Sequence, residues 1–287
     1  MIGLIIDTGC NVPEIIRSRF PMKIVPLRII LDKKEYRDGL EIDQATIIEY
    51  MIQHYPKTSL PYMEDIQNAF MEYIEQGCKQ IIAINMSSGL SGTYNSFRVV
   101  VQKLKKSHPD VRVELIDSCS VSIGTGLIVY KVAQWIDQGV CFDEIIKRAY
   151  QTLKRSQIFF IVPTLRFLTK GGRLSRVSGT LGEWFKIKPI ISMTQEGMLH
   201  PIAKAPGFQL AMKELIKQVR KFVQDKEIEV VGIYHSGESE QTKTIIETIK
   251  KEIQKLSPPE LYFGTITSTI LVHGGPGVIG IGVLLKE

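Results

Sequence analysis

The chain has 287 residues, enough for one large domain or two smaller ones with a sizeable core. Its 44% apolar and 23% charged residues describe an ordinary soluble globular protein. The net charge of +6, with no long Lys/Arg run and no basic patch interleaved with aromatics, does not argue for nucleic acid and fits an acidic ligand or partner.

Four scattered cysteines, Cys10, Cys78, Cys119 and Cys141, form no CxxC pair, which excludes the common zinc and thioredoxin-type arrangements. Without a signal peptide at Met1–Ile6 the thiols are expected to be reduced and the protein cytoplasmic. No uncharged apolar run is long enough to span a bilayer.

In chain order, Ile2 to Ile6 reads as a buried parallel strand ending at Asp7-Thr8-Gly9-Cys10-Asn11. A carboxylate at such a strand end suits a ligand or an Asx-type turn, and the turn is the better reading. Pro13 to Phe20 is a short helix, Lys23 to Leu31 a second strand, Tyr36 to Gly39 a turn, and Asp43 to His54 a helix. Pro56 and Pro61 bracket Lys57, Thr58, Ser59 and Leu60; the fixed φ and missing N–H of proline make this a rigid extended loop. Its hydroxyls either face a ligand or simply precede the helix from Tyr62 to Gln76.

The apolar run Gln80 to Met86 leads into Ser87-Ser88-Gly89-Leu90-Ser91-Gly92-Thr93-Tyr94 and then a helix. Strand, glycine- and hydroxyl-rich loop, helix start is an arrangement whose unpaired amides attract a phosphate or carboxylate, or else merely a capped turn. Val111 to Ile116 is a strand ending at Asp117-Ser118-Cys119-Ser120. Gly124 and Gly126 open an apolar helix, and Phe142 to Leu153 is another. Strands alternating with helices predict a parallel sheet covered on both faces, with several polar strand ends converging on one edge.

After residue 157 the pattern turns to mixed strands and hairpins, which predicts a second domain: 1–156 as a parallel α/β/α unit and 157–287 as a mixed α/β unit, with a ligand between them. Gln157 to Pro163 is an apolar strand. Lys170-Gly171-Gly172-Arg173 sets cations around a glycine pair, suited to phosphate or an acidic protein surface, or to a helix C-cap among solvated charges. A strand at Ile187–Ile191, a turn at Gly197, a helix from Phe208 to Val223, a strand from Ile228 to Tyr234 and a charged surface helix from Glu238 to Leu256 follow. Thr265 to Val272 reads as β-rich, His273 as held on a Gly/Pro-rich loop able to bond an anionic head group, and Val278 to Leu285 as a final strand. No His, Cys or carboxylate stands at metal-ligand spacing around His273.

Six short motifs in order, KTSLP at 57–61, SSGLSGTY at 87–94, IDS at 116–118, KGGRLS at 170–175, IKP at 187–189 and HGGPG at 273–277, resemble the DegV family over nearly the whole chain. Each is weak alone; six in sequence are specific. The resemblance implies a fatty-acid-binding subunit of bacterial fatty acid kinase: one long-chain, palmitate-like fatty acid buried between two domains, phosphorylated to an acyl phosphate by a separate kinase subunit and passed to phospholipid synthesis. By motif position, Thr58 and Ser91 would hold the carboxylate, His273 would join them, and Ser59, Gly92, Thr93 and Ser118 would support the loop. Arg173 and Lys170 would face the kinase subunit. The resemblance implies no catalytic residue, no metal, no cofactor beyond the bound lipid, no nucleic acid and at most transient membrane contact. Three departures stand out: Asp7-Thr8-Gly9-Cys10-Asn11 replaces an Asp-Ser-Thr-Ala-Asp-type run, Pro206 stands near where the family often has an arginine, and the stretch before His273 is unusually rich in β-branched residues. A reading from another class is a phosphotransfer enzyme acting on a small phosphorylated or hydroxylated substrate through the same Ser/Gly loop. GxxxxGK[ST] is absent, and paired carboxylates for a Mg²⁺-nucleotide do not occur at convincing spacing.

Overall fold

A computed structural model describes residues 1–173, 187–237 and 240–287, without the side chains of residues 240 and 241. The elements of the first half are β1 (Ile2–Asp7), α1 (Glu14–Arg19), β2 (Lys23–Val25), β3 (Arg28–Leu31), β4 (Lys34–Arg37), α2 (Gln44–Met51), β5 (Lys57–Ser59), α3 (Met63–Glu75), β6 (Gln80–Asn85), α4 (Thr93–Ser107), β7 (Arg112–Asp117), α5 (Ile123–Asp137) and α6 (Phe142–Leu153). Those of the second are β8 (Ser156–Ile161), α7 (Arg166–Lys170), β9 (Ile187–Met193), β10 (Leu199–Pro206), α8 (Phe208–Val223), β11 (Ile228–His235), α9 (Glu240–Gln254), β12 (Glu260–Thr265), α10 (Ser268–Gly274) and β13 (Ile279–Leu285).

Three sheets form: a parallel one in the order β2-β1-β6-β7, a mixed six-stranded one in the order β10-β9-β8-β13-β11-β12, and a small antiparallel one, β4-β3-β5. The two-residue period of a strand sorts the apolar side chains of the parallel sheet to two sides. Ile5, Ile81 and Ala83 meet Phe70 of α3 and Phe97 of α4 in one core. Leu4, Ile6, Ile82 and Ile84 point the other way, into a core shared with Leu127 of α5, Ile145 of α6 and Ile158 of the mixed sheet. On the far side of the mixed sheet, Ile161, Ile233, Ile281 and Val283 meet Leu215 of α8 and Ile249 of α9. The layers therefore run helix, sheet, helix, sheet, helix, as the α/β reading predicts for the parallel sheet.

Helix α5 is the middle layer and is buried almost all round, which is why its sequence, IGTGLIVYKVAQWI, shows no polar face. Its fit depends on positions without side chains. A Cβ on Gly126 would overlap the Asn11 carbonyl oxygen, and one on Gly232 of β11 would overlap Ile123, the first residue of α5. Gly282 of β13 lies under the same isoleucine, its missing Cβ 3.1 Å from Ile123 Cγ2.

Three predicted elements change. Lys23 to Leu31 is two strands: Pro26 has no N–H to give a ladder, so β2 stays with β1 while β3 leaves to pair with β4 and β5. Tyr36 and Arg37 belong to strand β4, so the turn begins only at Asp38 and Gly39, where φ is +73°. Thr265 to Val272 is not a β run. Strand β12 ends at Thr265 and Ser268–Gly274 is helical, so tertiary context overrides the β-branched composition. The Pro56–Pro61 segment is extended as expected, and its central residues pair as β5 with β3. Among the described residues no helix is long and apolar enough to cross a membrane.

Replacing Gly126 by Ala tests the middle layer. The clash is with a backbone atom that cannot rotate away, so we expect a loss of about 2 kcal/mol or more in urea unfolding at unchanged m-value. Unchanged stability would show that α5 has slack beside Asn11.

Candidate functional site

Because β1, β6 and β7 are parallel, their C-terminal ends share one edge. The acids there serve as braces. Asp7 is fully buried and accepts from Gly9 N (2.7 Å), Asn85 Nδ2 (2.9 Å) and Met86 N (3.0 Å). Burial nevertheless pushes its pKa up. Asp117 accepts from the amides of Ser88 and Cys119 at 3.2 and 3.0 Å. Ser118 is tied to Thr125 Oγ1 (2.9 Å) and the Ser120 carbonyl (3.2 Å), which fixes the β7–α5 loop.

The loop after β6 is folded by its own serines. Ser87 O accepts from the amides of Leu90 and Ser91, both at 3.1 Å, while Ser87 Oγ donates to Gly197 O (2.7 Å) in the β9–β10 turn. Ser91 Oγ shares a hydrogen bond with Thr93 Oγ1 (2.8 Å) and accepts from Thr93 N (3.3 Å). Gly92 is the N-cap of α4, so Ser91 stands at the positive end of a fifteen-residue helix.

Thr58 and Ser59 are neighbours on β5 and therefore face opposite ways. Thr58 Oγ1 bonds His273 Nε2 at 2.7 Å, across 215 residues of sequence. Ser59 Oγ accepts from Arg28 Nη2 at 2.9 Å, and Arg28 stacks over Tyr62, 4.4 Å from the ring centre. His273 occupies the last turn of α10, not the loop expected from the sequence. Asp38 holds the start of this helix, accepting from Thr269 N (3.0 Å) and Thr269 Oγ1 (2.6 Å). On the other side of the imidazole, Gly171 ends α7 so closely that a Cβ there would overlap His273 Nδ1. Arg173 Nη1 turns back to Gly171 O at 2.6 Å; Lys170 is exposed, 5.4 Å from the Tyr55 ring centre.

These segments surround a cavity with a mostly apolar lining. Thr58, Ser91, His273 and Arg173 line it. Ser59, Gly92, Thr93, Ser118 and Lys170 are not on its wall. Leu27, Met86 and Leu90 line it from the first half of the chain, and Ile158, Phe160 and Gly280 from the mixed sheet. Ser122, also on the wall, has φ of +53° and is held by Ser122 N→Gly9 O (2.8 Å) and Ser122 Oγ→Asn11 Oδ1 (2.7 Å). Such a backbone is strained for a residue with a side chain and persists because both sides grip it. Hydroxyls and an imidazole beside apolar walls match a ligand with an anionic end and an aliphatic body. Among the described residues no group of three or more His, Cys, Asp or Glu could hold a metal ion.

Sequence reasoning missed part of the wall. Phe160 and Gly280 lie opposite each other on paired strands, and the alternation of Ile158 with Phe160 and Val278 with Gly280 carried the signal. The local sequence places Asp38 only in a turn. Leu174 and Ser175, the end of the KGGRLS motif, lie outside the described residues.

The family model for DegV, described as "Uncharacterised protein, DegV family", matches residues 1–286. The chain belongs to the DegV family. A DegV domain-containing protein of Clostridium acetobutylicum is 33% identical over 288 residues, with 99% of each chain covered. Among solved structures, a DegV family protein from Thermus thermophilus described by its fatty acid binding superposes with a TM-score of 0.87 at 24% identity, covering 99% of both chains. A stearic acid-binding protein from Eubacterium ventriosum superposes with a TM-score of 0.88 at 22% identity, covering 100% of this chain and 99% of that one. The DegV fold is thus present over the full length described.

Asp38 offers a pH test of how α10 is anchored. Burial is the main cause that raises its pKa above 3.8, so the folded chain holds this proton more tightly than the unfolded chain does. Its contribution is therefore fully present below pH 3.8 and lost as pH rises through the folded value. We expect the stability of the wild type relative to Asp38→Asn to fall over that rise, measured by denaturant unfolding at several pH values. A constant difference would mean that Asp38 is not the buried acid described.

Proposed function

We propose that this chain binds one long-chain, palmitate-like fatty acid in the cavity, between a domain at 1–156 and a domain at 157–287, and presents its carboxylate to a separate kinase subunit. Thr58, Ser91 and His273 hold the carboxylate. The supporting observation is that these three residues, scattered over the sequence, line one cavity whose other walls are largely aliphatic. The fatty acid binding named for the Thermus and Eubacterium proteins, which share this fold, supports the same ligand.

The energetics suit the reading. About fifteen methylenes at ~0.8 kcal/mol each give on the order of 12 kcal/mol gross, from which ordering and association costs are subtracted. The head-group bonds add less and fix which end lies where. Thr58, bonded to His273, is already oriented, so little freedom is lost on binding. The start of α4 beside Ser91 favours the negative charge.

The chain supplies no catalytic group in this account. The kinase subunit brings nucleotide and transfers a phosphoryl group to the carboxylate; the enclosed site keeps water from the acyl phosphate until it enters phospholipid synthesis. Arg173, half-buried at the cavity, and exposed Lys170 form the contact with that subunit. The setting is cytoplasmic, with at most transient membrane contact.

Two experiments test this. Protein purified from a bacterial host and denatured should release fatty acid at about one molecule per chain by mass spectrometry; protein that is empty and also refuses added fatty acid would sink the proposal. Ser91→Ala should weaken fatty acid binding by about tenfold, the value of one hydrogen bond to a charged group. Arg173→Ala should bind normally yet no longer support phosphorylation when the kinase subunit is added. Equal loss of binding in both variants would overturn the division between head-group and partner residues.

A further inference from the structure

Among the described residues the inner face of the mixed sheet carries four glycines where alternation would otherwise place side chains: Gly232 on β11, Gly264 on β12, and Gly280 and Gly282 on β13. Three have a packing reason. Gly232 and Gly282 face Ile123, and Gly264 lies against the Tyr234 ring, which leaves no room for a larger residue. Gly280 has none. Its φ is not positive, so any residue fits its backbone. A Cβ there would meet only ordinary van der Waals neighbours: Phe160 Cβ at 3.6 Å, Phe159 O at 3.8 Å and Ile158 Cδ1 at 3.9 Å.

The reason for the bare position lies in the layer above it. Ile123 is the first residue of α5 and sits on Gly282. Two residues along β13, about 7 Å away, Gly280 lies beyond the helix start. There the gap between the layers is occupied by the cavity, and Gly280 is part of its wall, between Phe160 on β8 and Tyr234 on β11.

We infer that Gly280 is the bare floor over which the aliphatic part of the ligand passes, and that the side chain it lacks sets the longest chain the cavity accepts. This rests on the fatty-acid reading above. Gly280 adds no head-group donor: it has no side chain, and its backbone is committed to the β11–β13–β8 ladders. A side chain at this position removes volume from the aliphatic part alone. Its effect therefore depends on ligand length, which a general loss of affinity does not.

The test uses delipidated full-length wild type, Gly280→Ala and Gly280→Leu, titrated with dodecanoic, tetradecanoic, hexadecanoic and octadecanoic acids. Circular dichroism and the ligand-free thermal midpoint monitor folding. Gly280→Leu should lose about tenfold or more for the two longest acids, because several methylenes are displaced, and stay within about threefold of wild type for dodecanoic acid. Gly280→Ala should move the same way by less. A folded Gly280→Leu with the wild-type length profile, or with the same loss at every length, would overturn the inference. If Gly280→Leu does not fold, Gly280→Ala decides by the same criterion. A wild type that binds no acid of any length removes the fatty-acid reading and this inference together; a wild type that binds, beside variants with its profile, removes this inference alone.

Discussion

One helix held between two sheets is the constraint from which the rest of the structure follows. The two sheets cannot approach more closely than the thickness of α5, because its side chains fill the space on both sides. The helix begins at Ile123, while the six-stranded sheet continues past it along β8 and β13. Beyond the helix start lies the cavity, bordered on the mixed sheet by Ile158, Phe160 and Gly280. It continues the middle layer, roofed by α10 and α7 and closed by the loop from Ser87 to Gly92. A hollow of this kind would be destabilising if empty, since its lining lacks the dispersion contacts that a packed interior supplies. An aliphatic ligand restores them.

The acids at the rim act in support of that hollow. Asp7 gathers the ends of β1 and β6, Asp117 ties the loop after β6 to the loop after β7, and Asp38 fixes the start of the helix that bears His273. Each accepts from backbone donors, as the buried Asp7 and Asp38 must. Burial raises the pKa of Asp7 and Asp38, yet neither acid is arranged as a proton-transfer group; both are framework. Among the described residues, the hydroxyls of Thr58 and Ser91 and the imidazole of His273 line the cavity and present donors to an anion without setting a second negative charge beside it.

Much of this was legible in the sequence. The parallel sheet was readable because β1, β6 and β7 are short apolar runs separated by amphipathic helices, and the loop from Ser87 to Thr93 because serines and glycines between strand and helix have few other uses. That Thr58 and Ser59 face opposite ways was not visible until β5 was known to be a strand, since a proline-bracketed segment does not declare a hydrogen-bonding partner. Helix α10 was hidden by Thr269, Ile270 and Val272, β-branched residues in a helix whose start is held by Asp38, far away in sequence. The break at Pro26 was written in the sequence, but not the third sheet that the chain joins after it. Long-range pairing and packing decided each of these cases, and local composition carries no record of them.

The position of β13 has a consequence for the order of events during synthesis. This strand, made after every other element described, lies in the middle of its sheet between β8 and β11. Until residues 279–285 slot into that gap, the mixed sheet is in two pieces and the hollow has no floor. A nascent chain could complete the parallel sheet on the ribosome, but could not close around a guest. Completing the mixed sheet and giving the hollow its floor are then one step, which waits for β13.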